Sequence, residues 1–521
     1  MAKRTSKQQR LTPGAIAEEL FCLEPDRDER APQLCAETLL TLAQNGYRAP
    51  EGGRLISPKR QLFALRSLAL GENFLGGRDS GRAGDDDTTP AEYGASLASG
   101  QDVRSSTYLA LAHQALQGLI DPETRRGSQT GAWLLRPFHE SLLWYDARKA
   151  STKTSEYTVR KVCMRGSGIT IARMLADPAD PKAAELGRAA VVSIRETLTA
   201  DSPLATISAR LESALPDDAP YTRPPDLETD EQAAWDRGSD ARLGPLATQL
   251  CRHAEGVMLQ ARASGPAKLW QLRSILALDL AVHVVRTAWQ TTATPEAERF
   301  LLLSFANGPR PQDPVRKRSE ESFHHARIRT SDATVRTLAR RMQELAEADE
   351  PVDWSSEFLF RRSSQSDDTA NSITKQLRGL DRNATGEDYL RVARAAIETA
   401  DYGRGAEDGF RVLLESVGAL VGTGSYRYLT AGPDLLAALV GALSAQMPMP
   451  SRKFFAMVRR EWGLVINQES AVGTALAEQL DGAGLERNAR RAEKLMSDAG
   501  LALGLSDRTT MVGERARRYG S

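Results

Sequence analysis

Asp279 and His283 stand four residues apart in "LWQLRSILALDLAVHVVRTAWQ". On a helix they share a face, and an acid beside a histidine can orient an imidazole as a general base. No Ser or Cys nucleophile is tied to the pair by a motif. A satisfied internal hydrogen bond is the simpler account of it.

A second possible chemistry is anion binding. "TVRKVCMRGSGITIARMLAD" reads as a short extended run, a Gly-Ser-Gly break and a helix. That order resembles a strand–loop–helix phosphate cradle. Only Gly166 and Gly168 are present, no third glycine follows at the fingerprint spacing, and no GK[ST] appears. A plain turn ahead of a helix explains the stretch better.

Metal chemistry has little to build on. Asp85, Asp86 and Asp87 are adjacent carboxylates in "GGRDSGRAGDDDTTP", the composition of a solvated loop. His324 and His325 would point apart on a helix, with no partner ligand spaced for them. Cys22, Cys35, Cys163 and Cys251 fall in no ligand spacing and read as free thiols in a reducing compartment. No catalytic residue, metal or cofactor is assigned. An enzyme with a non-obvious site, at Asp279/His283 or Gly166/Gly168, stands as the third functional alternative.

The elements that must position these residues are mostly helical. Hydrophobic residues make up 41% of the 521 and aromatics 6%, with Ala and Leu abundant. That balance favours a mainly α, multi-domain chain over β-sandwiches. The expected division is an N-terminal helical domain (1–214), a Pro- and acid-rich linker or long surface loop (215–245), a central helical domain with a basic segment (246–375), and a C-terminal helical region (380–521). "MAKRTSKQQRLTPG" lacks an apolar h-region, and apolar runs such as "LLAALVGAL" are about half of what a bilayer needs. A cytoplasmic protein without a membrane partner is expected.

Charge is balanced overall, with 68 Lys+Arg against 68 Asp+Glu, so attraction to nucleic acid must be local. Twelve of the cations are Lys and 56 are Arg. GC-rich coding bias in a bacterium accounts for that excess. The functional alternative is phosphate recognition by the guanidinium fork. Within 310–341, nine basic residues face four acidic ones. "PVRKRSEESFHHARIR" reads as a surface loop in which Arg316, Lys317 and Arg318 could meet phosphates.

The last hundred residues have an informative order. "PDLLAALVGAL" and "SRKFFAMVRREWG" read as helices, the second capped by Ser451. "LVI" reads as a short strand, and "ESAVGTALAEQLDG" as the next helix. After an "AGL" turn, "ERNARRAEKLMSDAG" forms a third helix, followed by the candidate strands "LALGL" and "TTMVG". Leu485, Ala489, Ala492, Leu495 and Met496 mark the inner stripe of that third helix. Arg487, Asn488, Arg490, Arg491 and Lys494 are left outside it, and Arg508 sits at the hairpin tip.

This order resembles the winged-helix form of the helix-turn-helix over about 451–512, some 70 of 521 residues. The resemblance implies a third helix entering the DNA major groove and a hairpin wing touching backbone. Arg and Asn carry the donors that guanine and adenine edges require. Across 451–521 there are 12 basic and 9 acidic residues. The fold also serves protein–protein contacts, so it does not by itself decide function. The leading expectation is a non-enzymatic accessory subunit or adaptor of a bacterial DNA-acting system, such as restriction or antiviral (phage) defence. Its expected partners are double-stranded DNA and other protein subunits. The alternative is a helical protein–protein scaffold without DNA contact.

Overall fold

The computed structural model describes residues 11–24, 29–56, 136–140, 143, 147–149, 157–159, 166–201, 205–206, 227–306, 313–348, 352, 354, 372–380, 384–399, 406–444, 447–506 and 509–513. Asp85–Asp87, Cys163 and Arg508 lie outside them. The chain is mainly α, with strands only two to five residues long among the described residues. Its helices divide into two compact units, one of residues 28–277 and one of 1–27 with 278–521.

The helices start where the capping chemistry dictates. Thr12 opens α1 (Pro13–Phe21), its hydroxyl accepting the N–H of Ala15 at 3.2 Å. α2 (Ala31–Gln44) is buried at every position from Ala31 to Leu42. The short antiparallel pair β1 (Ala147–Lys149) and β2 (Tyr157–Val159) precedes α3 (Ser167–Ala176). Asp180 caps α4 (Pro181–Leu198). The described part of the 215–245 stretch is helical: it holds α5 (Leu227–Arg237) and a 3-10 turn leading into α6 (Gly244–Met258). Trp235 and Ala234 of α5 are fully buried, which gives this acidic, Pro-flanked stretch a reason to coil. α7 (Gly265–Thr291) follows and is the long apolar helix expected from the sequence.

In the unit of 28–277, α3 is enclosed by α2, α5 and α4, and α4 also packs on α6. Gly168 permits the α2–α3 approach, since a Cβ there would lie 2.8 Å from the Leu34 carbonyl.

In the other unit, β3 (Leu301–Leu302) leads to α8 (Pro314–Ala346). The basic segment is therefore a 33-residue helix, not a surface loop. Asp313 caps it, accepting the Val315 N–H at 2.9 Å, and Pro314 holds its first position. Its buried stripe includes Val315, Phe323, Ala326, Leu338 and Met342. Its C-terminal half packs with α1 and α9 (Gly386–Thr399) around Ile16, Leu338, Met342, Tyr389 and Ala393.

α10 (Ala406–Ser416), the β4 (Leu420–Val421) and β5 (Tyr428–Leu429) hairpin and α11 (Pro433–Ser444) come next. Then follow β6 (Met449–Pro450), α12 (Ser451–Trp462) and β7 (Leu464–Val465). Ser451 is the first residue of α12 rather than its cap; its hydroxyl donates to Glu493. The "ESAVGTALAEQLDG" helix is two four-residue pieces, α13 (Gln468–Ala471) and α14 (Leu476–Gln479), broken at Gly473 with φ +78°. α15 (Gly482–Asp498) begins earlier than the sequence suggests, because Asp481 caps it ahead of the "AGL" residues. The hairpin β8 (Ala502–Ser506) and β9 (Thr509–Val512) completes the order. β9 also pairs with β6, while β7 pairs in parallel with β3.

Candidate nucleic-acid interface

Among the described residues, those expected to touch DNA sit on two elements, α15 and the N-terminal end of α8. Both are held by one small core, in which Leu485 of α15 and Val315 of α8 pack with Leu302, Val465, Ala471 and Leu476. Arg491 reaches across and donates to Asp313 Oδ2 at 3.0 Å. The two basic segments, 170 residues apart in sequence, are thus neighbours in space. Burial pushes the Asp313 carboxyl up. The hydrogen bonds from Arg491 and from the Val315 and Arg316 N–H groups outweigh that and hold it below the usual carboxylate range.

α15 presents one outward stripe of cations. Arg487, Arg490 and Lys494 are all exposed, at spacings of three and four that keep them on one side. The stripe spans about 10 Å at the helical rise. Arg487 and Arg490 have no carboxylate partner among the described residues. Lys494 pairs with Asp498 at 3.1 Å, but both side chains are largely in solvent, so the pair is weak and exchangeable. On α8, Lys317 is exposed and likewise unpaired among the described residues, while Arg318 bonds Glu321 one turn on.

Two expected contacts face inward instead. Asn488 is 1% exposed. Its Nδ2 donates to the carbonyls of Leu303 and Ile466, both at 2.9 Å, and its Oδ1 accepts the Phe305 N–H at 2.8 Å. Both donors and the acceptor are committed to backbone, so nothing remains to read an adenine edge. Arg316 lies over Tyr428, its Cζ 4.3 Å from the ring centroid, and its Nε donates to Glu320 at 3.3 Å. It braces α8 against β5.

The residues flagged for catalysis are also taken up structurally. Asp279 is buried and accepts the Trp462 Nε1–H at 2.6 Å. His283 donates from Nε2 to the Phe21 carbonyl at 2.9 Å, and burial holds its pKa below the ordinary histidine value. Arg286, one turn further, donates to the Glu461 carbonyl at 2.7 Å. This face of α7 therefore clamps the ends of α1 and α12. Asp279 and His283 bond these groups and not each other.

The Gly-Ser-Gly break does present N–H groups at a helix start, but a carboxylate of the chain fills it. Glu37 of α2 accepts from Gly166 N at 3.1 Å and from Gly168 N at 2.8 Å. Ser167 donates to Glu29 at 2.8 Å. The Glu37 pKa stands at about 7, raised chiefly by burial. That value already includes the opposing pull of the Gly168, Gly166 and Ile169 N–H groups and the added push of nearby Glu231.

No group of three or more His, Cys, Asp or Glu among the described residues is placed to hold a metal ion. No described helix is long and apolar enough to cross a membrane. His324 bonds the Ser425 carbonyl, and His325 lies 3.3 Å from Glu298, so the adjacent histidines diverge as expected.

No protein-family model matches this chain, and neither does any curated protein or any solved structure. Its chemistry has to be inferred from its own surface.

The residue that sequence reasoning missed is Asp313. It is one of the four acidic residues of the 310–341 segment, and it both caps α8 and anchors α15. The Asp-Pro pair ahead of a helical stretch was the available signal.

Proposed function

We propose that the protein is a non-enzymatic, nucleic-acid-associated accessory subunit, and that its C-terminal region works as a winged-helix-like module on duplex DNA. The contact surface is the outward stripe of α15 (Arg487, Arg490, Lys494) together with Lys317 and Arg318 at the N-terminal end of α8. The observation carrying this reading is the Arg491–Asp313 bond, which sets the start of α8 beside α15. A bacterial DNA-acting system, of the restriction or phage-defence kind, is the setting such an adaptor suits.

Covalent footprinting tests this on the full chain. The chain has few lysines, so amine labelling reports on single positions. Duplex DNA at low salt should protect Lys317 and Lys494 from acetylation and leave exposed Lys182 reactive. Equal labelling of all three with and without DNA would contradict the assignment.

A protein–protein scaffold is the second reading. It is favoured by the apolar side chains this region exposes, Val472 at 70%, Met447 at 71% and Leu505 at 51%. Partner subunits would cover them.

A further inference from the structure

The duplex contact, if made by this face, is made to phosphates and not to bases. We infer that α15 binds the nucleic-acid backbone without regard to sequence, lying across the groove instead of entering it. This rests on the proposed nucleic-acid reading and narrows the ligand to the polyanionic backbone itself.

Three observations carry it. First, the side chain best fitted to read an adenine, Asn488, is sealed in the core and saturated by Leu303, Phe305 and Ile466. Second, the N-terminal part of α15, which a groove-reading helix must insert, is already packed on the start of α8. A Cβ on Gly484 would lie 3.7 Å from Val315 Cγ2, and Leu485 is 1% exposed. Third, what does face outward is a row of cations. Arg487, Arg490 and Lys494 run along the exposed stripe, and Lys317 is exposed near the start of α8, which Arg491 and Asp313 hold beside α15. Such a row suits the regular charge of a phosphate chain, where contacts position without specifying.

The same side chains could in principle grip guanine, since an arginine fork fits its major-groove edge. The packing of Gly484 and Leu485 against α8 denies them that depth. Arg491 cannot turn outward without leaving Asp313.

Fluorescence anisotropy of the full chain on GC-rich, AT-rich and mixed short duplexes tests the inference. Affinities should agree within about threefold, well short of the tenfold or more that one base-reading pair confers. Binding should weaken with salt at a log–log slope near −4, about 0.9 for each of four neutralised phosphates. Arg487→Ala/Arg490→Ala/Lys494→Ala should flatten that slope by about 3, in proportion to the charges removed.

A preference above about tenfold for one duplex would overturn the inference and leave the nucleic-acid reading standing. An unchanged slope in the triple alanine variant would overturn the assignment of this face. Absence of any salt-sensitive binding would instead remove the underlying reading.

Discussion

Asp313 serves two elements at once: one carboxylate oxygen accepts the Val315 N–H at 2.9 Å and the other accepts from Arg491 at 3.0 Å. The cap that starts α8 is also the dock for α15. The two roles can be separated. Asp313→Asn retains the capping oxygen and loses the charge; Asp313→Ala loses both. We expect Asp313→Ala to lower stability by about 1–2 kcal/mol and Asp313→Asn by less than about 1 kcal/mol, since the Arg491 side chain is well exposed. Urea denaturation of both variants, with Arg491→Ala as the third corner of a cycle, measures the split. Equal losses from the two Asp313 variants would mean that the charge, not the cap, matters.

Asn488→Ala removes three hydrogen bonds at one stroke. It strands the Phe305 N–H and the Leu303 and Ile466 carbonyls in the core. A loss of about 2–4 kcal/mol is expected, larger than for an ordinary surface change. The affinity of the folded variant for duplex DNA should be unaltered. A variant of normal stability with weakened DNA binding would return Asn488 to the surface.

The inner stripe read from the sequence, Leu485, Ala489, Ala492, Leu495 and Met496, leaves Asn488 outside, whereas the structure puts it inside. It stands three residues after Leu485 and four before Ala492, on the inner stripe of α15. Its residue type suggests base recognition, but the packing of α15 buries it. Its partners could not have been seen, because Leu303 and Phe305 lie some 180 residues away. The basic run 314–341 shows the converse. Its many charges hid the stripe of Val315, Phe323, Ala326 and Leu338, so a helix read as a loop. Local signals served better: Thr12-Pro13 started a helix, and "TTMV" and "LALGL" became paired strands with a shift of one residue at most. The Gly-Ser-Gly break was visible, but not that Glu37 from α2 would occupy it.

Glu37 gives the unit of 28–277 a proton linkage. The carboxyl titrates near 4.5 when unfolded and about 7 when folded. Between those values the folded chain holds a proton that the unfolded chain has released, so stability falls as pH rises and levels off above about 7. The full difference is about 3 kcal/mol. Glu29 on Ser167, Glu231 and Arg237 of α5, and Arg173 of α3 are the charged groups around this seam. Hydrogen exchange of α3 amides in wild type and Glu37→Gln at pH 5 to 8 reads the effect. The wild type should lose protection relative to the variant as pH rises. Parallel curves would refute the linkage.

Asp279 and Trp462 should behave as a structural couple. Trp462→Phe removes the donor from a buried carboxylate and leaves part of the indole's volume unfilled. A loss of about 2–3 kcal/mol is expected, and the cycle with Asp279→Asn should show coupling of about 1 kcal/mol or more. Thermal denaturation of the four proteins settles it. Strict additivity would show that the 2.6 Å bond contributes nothing.

The most direct test of the central claim is charge reversal on the outward stripe of α15. The full chain and its Arg487→Glu/Arg490→Glu variant are titrated onto duplex DNA at low and rising salt. Wild-type binding should be salt-sensitive, and the reversal should weaken it by more than about tenfold at low salt with the fold intact. Equal affinity of the two proteins, or no wild-type binding at low salt, would contradict the account.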